Sequence, residues 1–235
     1  MPLPLPLRLV QRAAGLIGAA RSVPRTEHPR AAARALRIAL RGLADVHGLD
    51  IRRVGEFPSG PFLAIANHLG VLDPVVIASL VECAPVAKAE VFSWPFIGGA
   101  LARGGGIRVV RGDVESGASA LRQMRARWGA GVPVLLFPEG TTTRGPLPGP
   151  FIAGGIALAA RLGVPVVPVG LSYDDTRLVW VDDTPFLSHY VRLAAGRRHG
   201  VTVRVGAVLR APRDASPEVL ARRARSAVAA LCALR

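Results

Sequence analysis

Lysine and asparagine are almost missing from this chain. Of 30 basic side chains, one is a lysine, Lys88, and the single asparagine is Asn67. Alanine, glycine, proline and arginine dominate, as GC-rich coding produces, so a lone Lys and a lone Asn mark positions to inspect. Cysteine is scarce too. Cys83 and Cys232, two in 235 residues, exclude a disulfide scaffold, lack metal-type spacing and fit a reducing compartment. Aromatic residues make up 5% of the chain, few for a stacking surface that reads nucleic acid. No apolar run spans a membrane convincingly. The longest, residues 151–171, is interrupted by Arg161, Pro165 and Pro168. No linker rich in Pro, Gly or Ser divides the chain, and no internal repeat is visible.

Half of the residues are hydrophobic, enough for a sizeable core. The net charge of +14 is uneven. Residues 1–60 hold ten Arg against Glu27, Asp45, Asp50 and Glu56, a balance of +6. Residues 192–235 hold ten Arg against Asp214 and Glu218, a balance of +8. Residues 61–191 hold ten basic and ten acidic side chains and are neutral. Two basic ends around a neutral middle suit an anionic surface, lipid headgroups or nucleic acid.

The start, residues 1–7, alternates Pro with Leu and is expected not to be helical. Residues 9–20 follow as an apolar helix edged by Arg8, Arg12 and Arg21. Prolines first and a short apolar stretch after Arg12 do not fit a secretory signal. Residues 30–46 read as a second helix, with Ala33, Leu36, Leu40 and Leu43 near one face. Such a basic amphipathic helix either lies on a membrane or packs on its own domain. Residues 1–48 therefore read as an N-terminal amphipathic arm, expected to face a membrane, ahead of a domain over 49–235.

From residue 61, strands and helices alternate. Strands are expected at 62–66, 85–87, 107–110, 132–137, 164–171 and 201–208. Helices are expected at 74–81, 95–103, 114–128, 152–162 and 216–234. Val114, Ala118, Leu121, Met124 and Trp128 share a face of the third of these. Alternation of this kind means an α/β fold, a largely parallel sheet flanked by helices.

Three clusters can carry chemistry. Asn67-His68-Leu69-Gly70-Val71-Leu72-Asp73-Pro74 follows a buried strand, where α/β sheets place ligands. Across a loop entering a helix, Asp73 can reach the His68 imidazole and orient it as a base. Asp73 also suits an N-cap, with Pro74 at the first helical position. Phe137-Pro138-Glu139-Gly140-Thr141-Thr142-Thr143-Arg144 ends a second buried strand, and its carboxylate needs a partner. Gly104-Gly105-Gly106-Ile107-Arg108-Val109-Val110-Arg111 ends in an Arg suited to gripping phosphate. It lacks dinucleotide-binding spacing, and there is no P-loop and no G-x-S-x-G elbow.

Together these blocks resemble the PlsC-type glycerolipid acyltransferases, the 1-acylglycerol-3-phosphate acyltransferase family. Its N-H-x4-D motif is matched by Asn67, His68 and Asp73, its Arg block by 107–111, and F-P-E-G-T by Phe137–Thr141. Its apolar strand with paired prolines is matched by 164–169. Residues 86–90 are similar to the segment between the first two blocks, which accounts for Lys88. The resemblance covers roughly residues 60–210. It implies the glycerolipid acyltransferase fold and transfer of an acyl group from a coenzyme A or acyl carrier protein thioester to a lysolipid hydroxyl. His68 is then the general base and Asp73 its orienter. Asn67, Lys88, Arg111, Glu139, Gly140, Thr141 and Arg144 would bind the acceptor. No cofactor and no metal are expected, and no nucleic acid partner. The enzyme would sit peripherally on the anionic cytoplasmic face of the cell membrane.

Two departures concern the acceptor. Thr142 follows F-P-E-G-T where the family commonly has Arg, and Phe151-Ile152 stands where Phe-Lys is frequent. Thr-rich versions with a downstream Tyr, Trp, Asp and His, here Tyr173, Trp180, Asp183 and His189, are similar to lyso-ornithine lipid acyltransferases and other lysophospholipid acyltransferases. Read from the residues alone, Tyr173, Trp180 and His189 are packing residues. The acceptor expected first is 1-acyl-sn-glycerol-3-phosphate, giving phosphatidic acid, with lyso-ornithine lipid or another lysophospholipid as the alternative. Rivals of other classes are a basic nucleic-acid-binding protein, a hydrolase pairing Cys83 or a serine with His68, and a non-catalytic lipid-binding protein.

Overall fold

The structure, a computed structural model, describes residues 4–145, 147–180, 186–196, 198–209 and 215–234. Asp183 and the His189 side chain lie outside the described residues. Eight α-helices and seven strands follow one another as α1 (Leu5–Ser22), α2 (Pro29–Val46), β1 (Leu49–Val54), β2 (Leu63–Ala66), α3 (Asp73–Leu80), β3 (Ala84–Lys88), α4 (Ile97–Arg103), β4 (Ile107–Val109), α5 (Val114–Gly129), β5 (Val134–Leu136), α6 (Gly154–Arg161), β6 (Val166–Tyr173), α7 (Phe186–Ala195), β7 (His199–Val205) and α8 (Pro217–Ala233) among the described residues. The strands form one sheet in the order β1-β7-β6-β2-β5-β3-β4. Every neighbouring pair is parallel except β6 and β7, which run antiparallel.

Strand β2 shows how the sheet is buried on both faces. Its residues alternate between two cores, as side chains on a pleated strand must. Leu63 and Ile65 pack with Met124 and Trp128 of α5, Ile156 of α6 and Leu220, Ala224 and Val228 of α8. Ala64 and Ala66 face the other way, toward Val76 and Ile77 of α3, Ala44 of α2 and Leu193 of α7. Each fully buried aliphatic side chain of this kind is worth about 1.5–3 kcal/mol. A sheet covered on both faces leaves its strand ends as the place for chemistry. The carboxyl ends of β2, β5, β3 and β4 lie side by side along one edge.

Most expected elements are present within a few residues, and the exceptions have physical causes. Helix α1 starts at Leu5, inside the stretch expected to be non-helical. Pro6 falls in its first turn, where a missing N–H breaks no helical bond. Edge strand β1 is masked in the sequence by its polar Arg52 and Arg53, and α7 is not among the expected helices. On α5 the buried residues are Ala120, Met124 and Trp128, while Val114 is 86% exposed, so the face is rotated from the expected one. Helix α4 begins two residues after Pro95, behind Phe96, which holds φ 63°.

The two N-terminal helices are docked rather than free. Helix α2 buries Ala32, Ala33, Leu36, Ala39 and Ala44. Arg12 of α1 is 3% exposed. Its guanidinium donates to Leu193 O at 3.0 Å, Ala194 O at 2.9 Å and Gly196 O at 2.7 Å, at the carboxyl end of α7. Its Nε donates to Val46 O at 3.2 Å. A cation there satisfies helix-end carbonyls and complements the helix dipole. Among the described residues no helix is long and apolar enough to cross a membrane.

Candidate active site

The segment Asn67–Asp73 leaves the carboxyl end of β2 and enters α3. Asn67, 1% exposed, extends the strand pairing with its side chain. Its Nδ2 donates to Leu171 O at 2.9 Å, and Leu171 N donates to its Oδ1 at 2.8 Å. The last backbone register of β2 on β6 is Ala66 with Val169, so the amide supplies the next rung. The chain's one asparagine thus lets the backbone turn away without stranding Leu171. Its polar atoms face β6.

Asp73 is completely buried. Its Oδ2 accepts from His68 Nδ1 at 2.7 Å, Leu69 N at 2.5 Å and Gly70 N at 2.8 Å. Its Oδ1 accepts from the Tyr173 hydroxyl at 2.7 Å. Four donors thus meet a carboxylate that has no contact with water. It is the first residue of α3, and the cap position falls on Leu72, so its side chain serves the loop instead of capping the helix. With Nδ1–H given to Asp73, the His68 Nε2 carries the lone pair and is the basic nitrogen. The ring stacks on Phe137, with centroids 4.3 Å apart and planes at 22°. The His68 side chain is 18% exposed, so it is held and yet reachable.

The loop after β5 grips His68 by its backbone. Glu139 Oε1 accepts from His68 N at 2.7 Å, and Thr143 N donates to His68 O at 2.8 Å. Glu139 Oε2 accepts from Gly149 N at 2.7 Å and the Thr143 hydroxyl at 3.0 Å. This answers the need for a partner seen in the sequence: both carboxylate oxygens organise the loop around His68. Gly140 turns the chain at φ 68°, and a Cβ there would come within 2.9 Å of Ile152. Thr141 and Arg144 are exposed on the same loop.

Lys88 ends β3 and forms an exposed ion pair with Glu90 at 2.7 Å. That bond holds the Glu90 carboxyl below its usual range. Arg111 is exposed, two residues past β4. At about 4.8 Å between strands, β3 and β4 stand about 10 and 14 Å from β2 along the edge. Lys88 and Arg111 thus share the His68 edge but stand apart from the ring. Cys83 precedes β3, at the opposite edge of the sheet, and is 1% exposed. Burial pushes its thiol up to about 12, so the pairing of Cys83 with His68 is not realised.

Tyr173 corrects the packing reading. Its ring is partly buried against the core, but its hydroxyl serves the Asp73 carboxylate. The phenol is raised well above its usual range by burial and then by Asp73, so it stays a donor. Trp180 borders the same segment: Trp180 N donates to Leu69 O at 2.8 Å, and its ring meets Trp94 edge-on at 6.4 Å. A Cβ on Gly70 would lie 3.1 Å from Trp180 N, so glycine permits this approach.

Known proteins resemble this chain in sequence and in fold. The chain is 34% identical over 163 residues to a lyso-ornithine lipid O-acyltransferase of Pseudomonas aeruginosa, covering 66% of this chain and 62% of that protein. It is 34% identical over 125 residues to the chloroplastic 1-acyl-sn-glycerol-3-phosphate acyltransferase BAT2 of Brassica napus, covering 52% and 36%. The chain spans less than two thirds of the length of these relatives. In three dimensions it is similar to the 1-acyl-sn-glycerophosphate (LPA) acyltransferase PlsC from Thermotoga maritima, with TM-score 0.68, 21% identity and coverage of 97% and 93%. That likeness shows the fold. Residues 44–172, more than half of the chain and including the whole His68–Asp73 segment and the loop after β5, match the Acyltransferase family, and the chain belongs to it.

Proposed function

We propose that this protein is a lysolipid O-acyltransferase that draws on an acyl-coenzyme A or acyl carrier protein thioester. The observation that carries the reading is the His68–Asp73 pair, with Nδ1 committed to the carboxylate and the ring partly open. In the proposed reaction His68 Nε2 takes the proton from the acceptor hydroxyl as its oxygen attacks the thioester carbonyl carbon. The tetrahedral intermediate collapses, the carbon–sulfur bond breaks, and the thiolate leaves with the proton from the imidazolium. Asp73 stabilises that imidazolium. The substrate alcohol takes the place of an enzyme nucleophile, and a base so placed contributes roughly 10²–10⁴-fold.

The first acceptor is 1-acyl-sn-glycerol-3-phosphate, yielding phosphatidic acid. Lys88, Arg111 and Arg144, with Gly140 and Thr141, form the headgroup side of the edge. Lyso-ornithine lipid is the second reading, favoured by Thr142 and Ile152 in place of two basic residues and by the match over 163 residues. The enzyme works as a peripheral protein on the anionic cytoplasmic face of the membrane. The two basic ends support this, and so do the exposed Leu7, Val10 and Ile38 on α1 and α2. Each Arg near such a surface is worth about 1 kcal/mol. The test is transfer of a labelled acyl chain in vesicles, with 1-acyl-sn-glycerol-3-phosphate, lyso-ornithine lipid and lysophosphatidylcholine offered separately. One acylated acceptor names the headgroup, whereas no product from any acceptor with either donor refutes the reading.

A further inference from the structure

Both ends of the Asn67–Asp73 segment are fastened to one strand. Leu171 of β6 holds Asn67 through its backbone, and Tyr173, two residues on, holds Asp73 through its hydroxyl. Antiparallel pairing with β7, Leu171 to Val203 and Tyr173 to Val201, fixes that rail from its other side. Three donors converge on Asp73 Oδ2, while among the described contacts Oδ1 has the phenol.

We infer that Tyr173 is a positioning residue for the proposed acyl transfer, acting through Asp73 to fix the carboxylate's rotation and to set how much of its charge His68 receives. The inference rests on the lysolipid acyltransferase reading. A bond from a neutral donor draws charge toward Oδ1. Without it, more of the charge falls on Oδ2 and stabilises the imidazolium, so His68 holds its proton to higher pH. The carboxylate also loses the contact that stops it from turning.

Helix α3 carries no charged residue beyond Asp73. From the loop after β5, Glu139 faces the His68 N–H, and Asp174, next to Tyr173, lies against Gly200. From α2, Arg37 pairs with Glu82 past the far end of α3. These groups are unchanged by Tyr173→Phe, so a shift in His68 reports on the phenol.

The experiment is an NMR titration of the His68 imidazole in the wild type and in Tyr173→Phe, with kcat/KM measured against pH. The midpoint of His68 is expected to rise by roughly half a unit to one unit, carrying the acidic limb of the rate profile with it. At neutral pH, kcat/KM is expected to fall by up to about ten-fold, because a rise of that size leaves less of His68 as free base. In an Asp73→Asn background, Tyr173→Phe is expected to cost almost nothing more. An unmoved His68 midpoint, or two losses that multiply independently, would overturn the inference. If Tyr173→Phe fails to fold, uniform 3-fluorotyrosine labelling, which alters Tyr173 and Tyr190, takes its place. That stronger donor must lower the midpoint, and a rise or no change overturns the inference. The titration needs no turnover, so a wild type inactive on every acceptor fails the functional reading separately.

Discussion

Asn67→Ala removes two hydrogen bonds at once from a site that water does not reach. The amide satisfies both Leu171 O, at 2.9 Å, and Leu171 N, at 2.8 Å. Each buried backbone group left unsatisfied costs about 1–3 kcal/mol, so the pair is worth about 2–6 kcal/mol. Local relaxation favours the lower half, about 3 kcal/mol. For a chain of this length that is about 6–12 °C in Tm. Asn67→Asp discriminates further. It keeps an acceptor for Leu171 N but sets a carboxylate against Leu171 O. At pH 7 it is expected to be less stable than Asn67→Ala. The sign with pH follows from burial. The introduced carboxyl has its pKa raised in the folded state, so its penalty is full above that value. The penalty is lost as pH falls to the ordinary aspartate value of about 3.9, where the acid can donate to Leu171 O. Thermal and urea unfolding of the three proteins, each compared with wild type at the same pH, provide the assay. Asn67→Ala melting within about 2 °C of wild type, or Asn67→Asp proving the more stable at pH 7, would refute the claim that this side chain extends the sheet.

Asp73→Asn removes the charge that stabilises the His68 imidazolium. It is expected to lower kcat by roughly 10²–10⁴-fold with little change in KM, and steady-state kinetics showing a loss under about ten-fold would count against the dyad. Glu139→Gln must turn an NH2 group toward His68 N–H or toward Gly149 N–H and the Thr143 hydroxyl. A loss of about 1–3 kcal/mol in urea unfolding and a lower kcat are expected, and wild-type values in both would contradict the loop-clamp role. Cys83, with its thiol pushed up to about 12 and its side chain buried, is expected to resist iodoacetamide at pH 7 until the protein unfolds. Rapid labelling of the native protein would show the thiol to be accessible.

The parts of the site that lie close together along the chain are legible in the amino-acid sequence alone. His68 and Asp73 are separated by one loop, and the family resemblance assigns them a base and its orienter. Asn67 stands out as the only asparagine, but its role needs β6 beside β2, a long-range fact. Tyr173 escapes sequence reasoning for a related reason. The expected strand stops at residue 171, two short of the residue that reaches Asp73 from 100 positions away. Glu139 announces that it needs a partner, while one of its donors, Gly149, sits ten residues on in irregular chain that no periodicity reveals. Lys88 is conspicuous by rarity and is found in an exposed pair with Glu90. The sheet follows from apolar runs, whereas β1, with Arg52 and Arg53 on an edge, offers no such run.

The most direct test of the central claim is the rate of acyl transfer by His68→Ala beside the wild type, with vesicle binding measured on the same samples. Equal vesicle binding and transfer slowed at least about 10²-fold are expected. Transfer within a few-fold of wild type would mean that His68 is not the base.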